Sequence, residues 1–187
     1  MIMNKVLCIC MLAMGCLMNI QAQTNCRDSI INISLDSLQK NANKFVGKTV
    51  SFSGKAIHVC SRSGMKLFLQ IPGQKGTFQV NSTKELGKFP RTCNNRDIAI
   101  VGVVHESRID EDFLKRWEQN IQNKTEEQHG DEKSGCEAEK QAKQETGDSS
   151  SKRIADFRKR IAERRKQEEK NYLSFYNVTA TKYKVLK

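Results

Sequence analysis

The sequence predicts a mainly β fold with added helices. A small five-stranded barrel is expected, with a helical insertion between strands four and five and a short helix ahead of strand one. Three observations carry this. Residues 49–105 hold four apolar strand-like runs separated by turn residues. Residues 106–170 abandon that texture for charged residues with apolar positions at helical spacing. Residues 172–186, YLSFYNVTATKYKVL, return to strand character.

The elements follow in order. Ser34 is a good N-cap, and Leu35, Leu38, Ala42 and Phe45 follow at helical spacing until Gly47. Thr49 to Val59 reads as a long strand with Gly54 inside it, where a glycine marks a bulge or sharp bend. In the next strand Met65, Leu67, Leu69 and Ile71 take one face and Lys66, Phe68 and Gln70 the other. Pro72-Gly73 breaks it, and Gly76 closes the turn into Thr77–Val80. Thr83–Phe89 suggests a helical turn, and Asp97–His105 a strongly apolar fourth strand.

In the insertion, Asp110–Gln122 carries Phe113, Leu114, Trp117 and Ile121 on one face. Residues 125–151 are polar and read as a loosely ordered connection. Ser151–Lys170 is a second helix with Ile154, Phe157 and Ile161 on its apolar side. Three strands, a short helical segment, a strand, a long insertion and a last strand is the order of the OB barrel. The expected division is barrel strands one to four with their preceding helix over 34–107, insertion over 108–170 and final strand over 171–187.

The N-terminus predicts export. Lys5 is the only charge before Arg27, and Val6–Ile20 is nearly devoid of polar groups. That run is shorter than the roughly 20 residues of a membrane span. It fits a cleavable signal peptide over 1–22, ending at Ala22. The mature chain is then periplasmic or envelope-associated, without a transmembrane span. The alternative is a lipoprotein anchored at Cys16, which follows Ala13-Met14-Gly15.

Charge is unevenly placed. The barrel segments 23–105 and 171–187 hold 15 Lys and Arg against 4 acids, whereas residues 106–170 hold 16 against 17. The basic excess therefore belongs to the barrel and suggests an anionic partner. Within the insertion, 125–150 is acidic and 151–170 basic, so mutual neutralisation in a helical hairpin is expected. The sharper reading makes the run RKRIAERRK a polyanion-binding helix.

OB barrels bind extended ligands across strands two and three. Single-stranded nucleic acid needs cations for phosphates and rings for bases there. Lys66, Phe68, Lys75 and Tyr176 are the candidate residues for such a ligand or another polyanion. In the competing reading Phe68 packs beneath the insertion helices, against Trp117.

Cysteine supplies a second candidate. Cys26, Cys60, Cys93 and Cys136 remain after the signal, and export permits disulfides. His58 and Cys60 share a strand face. The end of strand one should meet the start of strand four, bringing Cys60 beside Cys93. The readings are a Cys60–Cys93 disulfide, separate free thiols, or a soft-metal or redox site of His58, Cys60 and Cys93. Cys26 and Cys136 form a second pair or stay unpaired. A third function class is an envelope protein-interaction module using the insertion. The mature chain has no GxSxG, HExxH, CxxC or phosphate-cradling glycine loop. A binding module without a cofactor is therefore expected, not an enzyme.

The runs VGKTVSFSGKAIHVCSRSGMKLFLQI, DIAIVGVVHESRIDEDFLKRWE and KNYLSFYNVTATKYKVL resemble a family of exported bacterial OB-fold proteins of unassigned function, catalogued as nucleic-acid-binding or tRNA-anticodon-binding-like. VGKTV, the His58-x-Cys60 pair with Gly64, and the Trp117 helix are the most specific pieces. The resemblance implies a second Cys or a His between Ser61 and Phe68. This chain has neither there, which counts against a metal site.

Overall fold

A computed structural model describes residues 29–123 and 136–186. The expected signal segment, Cys16 and Cys26 lie outside the described residues. The described residues form six strands and four α-helices: β1 (Ile31–Asn32), α1 (Leu35–Asn41), β2 (Thr49–Val59), β3 (Lys66–Gln70), β4 (Thr77–Asn81), β5 (Asp97–Asp110), α2 (Glu111–Gln122), α3 (Glu137–Ala142), α4 (Ser150–Glu168) and β6 (Tyr172–Val185).

Strands β2 to β6 are the five expected barrel strands. Their order is β2-β3-β4-β6-β5, and β2 pairs again with β5 to close the sheet. All barrel pairings are antiparallel except β4 with β6, where Gln79 opposes Asn177 and Asn81 opposes Thr179. The C-terminal strand thus completes the barrel, with helices between β5 and β6, as an OB-like fold requires.

Closure depends on the bend in β2. Thr49–Lys55 pair with β5, and from Ala56 onward the strand pairs with β3. Gly54 sits at this handover. A Cβ there would lie 2.9 Å from Leu35 Cδ2 and 3.3 Å from Leu69 Cδ1, so glycine admits the close approach of α1 and β3. Ser34 caps α1 as predicted, its side chain accepting from the Ser37 amide. Leu35 and Leu38 are buried with Val50, Phe52, Leu67, Leu69, Phe78 and Ile100 inside the barrel.

Beyond the barrel β5 and β6 continue as a two-stranded ribbon to Asp110 opposite Tyr172. Strand β5 therefore runs five residues past the predicted His105. The outer face of the ribbon carries a second apolar cluster. Ile109 and Leu173 meet Leu114 of α2 with Ile154 and Phe157 of α4, flanked by Trp117, Ile121, Ile161 and Phe175. The apolar faces read from the sequence are the faces that pack, except that Phe113 stays exposed at the edge of the Trp117 ring. Asp110 caps α2 by accepting from the Phe113 amide at 2.8 Å, so the acids of this turn support the helix start.

The charges of the insertion largely neutralise one another. Arg158 of α4 bonds both Glu111 and Glu118 of α2 at 2.7 Å, and Arg153 pairs with Glu145. Two expectations need correction. The predicted loose connection contains α3, which packs on β3 and β4. The helical segment expected between the third and fourth barrel strands shrinks to a hydrogen-bonded turn at Thr83–Gly87 and a 3-10 turn at Arg91–Cys93. Among the described residues no helix is long and apolar enough to cross a membrane.

Candidate functional site

The register of the sheet builds the outer surface where OB ligands bind. Odd and even positions alternate between interior and exterior. His58, Phe68, Gln79, Asn177 and His105 therefore form one row across β2, β3, β4, β6 and β5. On the adjoining row Asn81 Nδ2 donates to Asn177 Oδ1 at 2.9 Å.

Helix α3 closes the middle of this surface. Thr77 Oγ1 donates to the Ala138 carbonyl at 2.6 Å, and Lys66 Nζ pairs with the Glu139 carboxylate at 2.7 Å. Ala138 and Phe68 are both buried. Phe68 lies between the Lys66 and Thr77 contacts, against the His58 ring at 5.9 Å. It is not an open stacking platform, and Lys66 is not an unpaired cation. Trp117 is not its partner, since that ring packs on Phe113 and Phe157. The six-residue helix escaped notice in the sequence because Ala138 is its sole buried side chain, too little for a periodic signal.

The cap is held partly by charge. Burial raises the Glu139 carboxyl, but Lys143 and Lys66 outweigh it and hold the group below the ordinary glutamate range. A lowered folded value means stabilisation that is complete above the ordinary range and lost as pH falls through the lowered value. Amide protection factors in α3 should therefore fall on acidification below pH about 4, ahead of those in the barrel strands. Glu139→Gln should weaken that pH response, as read by the same exchange measurement.

An open cleft lies beside the cap. Its cavity of about 330 Å³ is lined by Arg160 and Arg164 of α4, Ser174 and Tyr176 of β6, with Gln39 and Gln144 at its edges. Among the described residues that line it, none is a carboxylate. Arg160 lies over the rings of Phe157 and Phe175, at 5.4 and 5.8 Å. Arg164 lies 5.4 Å over Tyr172 and donates to the Tyr172 carbonyl at 3.0 Å. These contacts hold two planar cations in place before any ligand arrives. Their acidic neighbours are Asp156, 3.5 Å from Arg160, Glu168, 3.1 Å from Arg164, and Glu106, which bonds the lining Ser174 and feels the Arg164 charge.

Of the four predicted ligand residues, Tyr176 reaches this cleft, and Lys75 is exposed on the β3–β4 turn. Arg160 and Arg164 were legible only as members of the basic run. Their spacing of four, three beyond Phe157, sets them along one side of α4.

The cysteines fall on opposite sides of the barrel wall. Cys93 is fully buried in the interior cluster, close to Tyr183, and burial pushes its thiol up. Cys60 follows β2 on the exterior and is half-buried. Cys60, Cys93 and Cys136 are all free thiols, so the expected Cys60–Cys93 bridge is not formed. The physical reason is the bend: β2 leaves β5 after Lys55 opposite Asp97, and Cys60 travels on with β3. The same divergence separates Cys93 from His58. Among the described residues no three His, Cys, Asp or Glu side chains gather to hold a metal.

A closed mixed barrel of this strand order, with helices between its last two strands, is an OB-like barrel. No family model matches the chain, and no curated protein matches it. Among solved structures it is similar to Entamoeba histolytica asparaginyl-tRNA synthetase in complex with asparaginyl-adenylate, at 23% identity and a TM-score of 0.29. The likeness covers 41% of this chain and 18% of that one. The OB-like assignment rests on the strand order and register, not on this likeness.

Proposed function

We propose that this protein is an exported, non-enzymatic OB-fold module that binds a phosphate-bearing polyanion, such as single-stranded nucleic acid, at the Arg160–Arg164–Tyr176 cleft. The observation that carries the reading is the pair of ring-held guanidinium groups that line one cleft beside Tyr176. The basic excess of the barrel supports it by attracting anions before contact. The signal-like residues 1–22 support export. The absence of catalytic motifs in the mature sequence favours binding over catalysis.

The site differs from the usual one in position. A ligand in the cleft runs along the edge of α3 rather than across β3, with Tyr176 as its ring contact. Fluorescence titration with a labelled oligonucleotide at low and moderate salt tests this. Binding should be micromolar and should weaken steeply with salt, because the contacts are mainly to phosphate. The Arg160→Ala, Arg164→Ala double variant should lose about tenfold or more in affinity, given a value near 1.5–3 kcal/mol for hydrogen bonds to charged groups. Lys55→Ala, on the far outer face, should lose little. The proposal fails if no salt-dependent binding occurs, or if the double variant binds like the parent.

A further inference from the structure

Cys60 has an environment that neither the fold nor the cleft requires. It closes a tight turn, with the Gly64 amide donating to the Cys60 carbonyl at 2.8 Å and Gly64 at φ +68°. Its backbone amide donates to the Lys66 carbonyl at 2.9 Å. The Lys66 ammonium grips Glu139 at 2.7 Å. The Glu139 amide in turn donates to the carbonyl of Cys136, the N-cap of α3, at 2.8 Å. This chain of contacts brings the N-terminus of α3, with Cys136 as its cap, to the end of β3 where Cys60 closes its turn. Both residues are half-buried, so both remain within reach of solvent.

We propose that Cys60 and Cys136 are a reactive dithiol pair, oxidised to a disulfide by a small-molecule or protein disulfide, and that the bond fastens α3 over the outer face of β3. The proposal is independent of the polyanion reading. It concerns a different surface and a different chemistry.

The two thiols are suited to different steps. Burial raises Cys60, but the Ser63 hydroxyl, the Ser63 and Arg62 amides and the Lys66 charge outweigh it, leaving the thiol below its ordinary range. Burial pushes Cys136 up, against the pull of the Glu139 and Ala138 amides, and charge on Cys60 raises it further. Cys60 is therefore the attacking sulfur, since the thiolate is the nucleophile. Its thiolate attacks one sulfur of the oxidant, breaks the S–S bond and releases one thiolate, which takes up a proton. Cys136, losing its proton, then attacks Cys60 Sγ and displaces the second thiolate. One external disulfide becomes two thiols as two protein thiols become one disulfide, so electrons and protons balance.

Cys93 stands outside this chemistry. It is fully buried in the barrel interior and raised by that burial.

The test equilibrates the full chain in a glutathione disulfide–glutathione buffer, traps free thiols by alkylation and maps the unreduced peptides by mass spectrometry. The expected result is a Cys60–Cys136 cross-linked peptide, with the linked pair lighter by two hydrogens and Cys93 alkylated once the chain is unfolded. Cys136→Ser should stop at a mixed disulfide on Cys60, whereas Cys60→Ser should leave Cys136 largely unmodified. Hydrogen exchange should show α3 better protected in the oxidised protein than in the reduced one. A stable Cys60–glutathione adduct in the parent chain overturns the proposal, as does a bridge from Cys60 to Cys26 or between chains. A Cys60–Cys136 bridge with unchanged α3 exchange overturns the fastening role.

Discussion

Gly102→Val should abolish or severely weaken folding, lowering the unfolding free energy by about 3 kcal/mol or more. Gly102 lies on β5 beside the register shift with β6. A Cβ there would sit 2.3 Å from the Thr179 carbonyl oxygen, 2.6 Å from Val178 Cγ1 and 2.8 Å from Ala180 Cα. Two of these atoms are backbone, so no rotamer change relieves the clash. The strand must move, and β5–β6 is the seam that joins the barrel to its ribbon. Against a typical total of about 5–15 kcal/mol, such a loss is large. Urea unfolding followed by far-ultraviolet circular dichroism measures it through the midpoint. Gly73→Ala is the informative control. Gly73 has φ +70° but nothing within 4 Å of a new Cβ, so it should cost only about 1–2 kcal/mol of backbone strain. A small effect at Gly102 would mean that β5 and β6 are not packed as described.

Phe157→Ala should cost about 3–5 kcal/mol in the stability of the outer helical layer. Phe157 is fully buried at the centre of the second cluster, with Trp117 at 6.4 Å, Phe175 at 6.0 Å and the Arg160 guanidinium at 5.4 Å. The barrel interior is a separate cluster, so the loss should fall unevenly. Trp117 is the chain's single tryptophan, and its fluorescence reports this layer alone. The variant should shift that emission toward the exposed range at lower urea than the loss of the β signal. Oligonucleotide affinity should fall as well, because Arg160 loses the ring beneath it. Coincident unfolding by both probes, at the parent midpoint, would contradict this division.

Much of the barrel was legible because strand patterning is local. Leu67 and Leu69 alternate with Lys66, Phe68 and Gln70 and face the interior as their spacing demands. Gly54 marked the bend, and the return of strand character at Tyr172 marked the closing strand. The apolar faces of α2 and α4 were readable for the same reason. Each repeats at helical period and meets a partner of the same kind.

The site was less legible. Phe68 and Lys66 had the right residue types on the right face, but helix α3 covers the one and pairs with the other. Tyr176 and the basic run were both singled out, yet nothing in their spacing showed that they share a cleft. Strand pairing is readable from the sequence, but the consequence of the bend is not: it carries Cys60 away from Cys93 along with β3.

The sequence by itself determined the barrel strands, the amphipathic faces of the two longer insertion helices and the basic excess of the barrel. Each of these is set by residue type at short repeat, where neighbouring side chains feel the same burial. Only the tertiary structure decided which outer face helix α3 covers, that Cys60 and Cys93 part company, and where two arginines meet a tyrosine. Those outcomes depend on contacts between segments some 70 residues apart, such as Lys66 with Glu139, and no local pattern encodes the geometry of such a meeting.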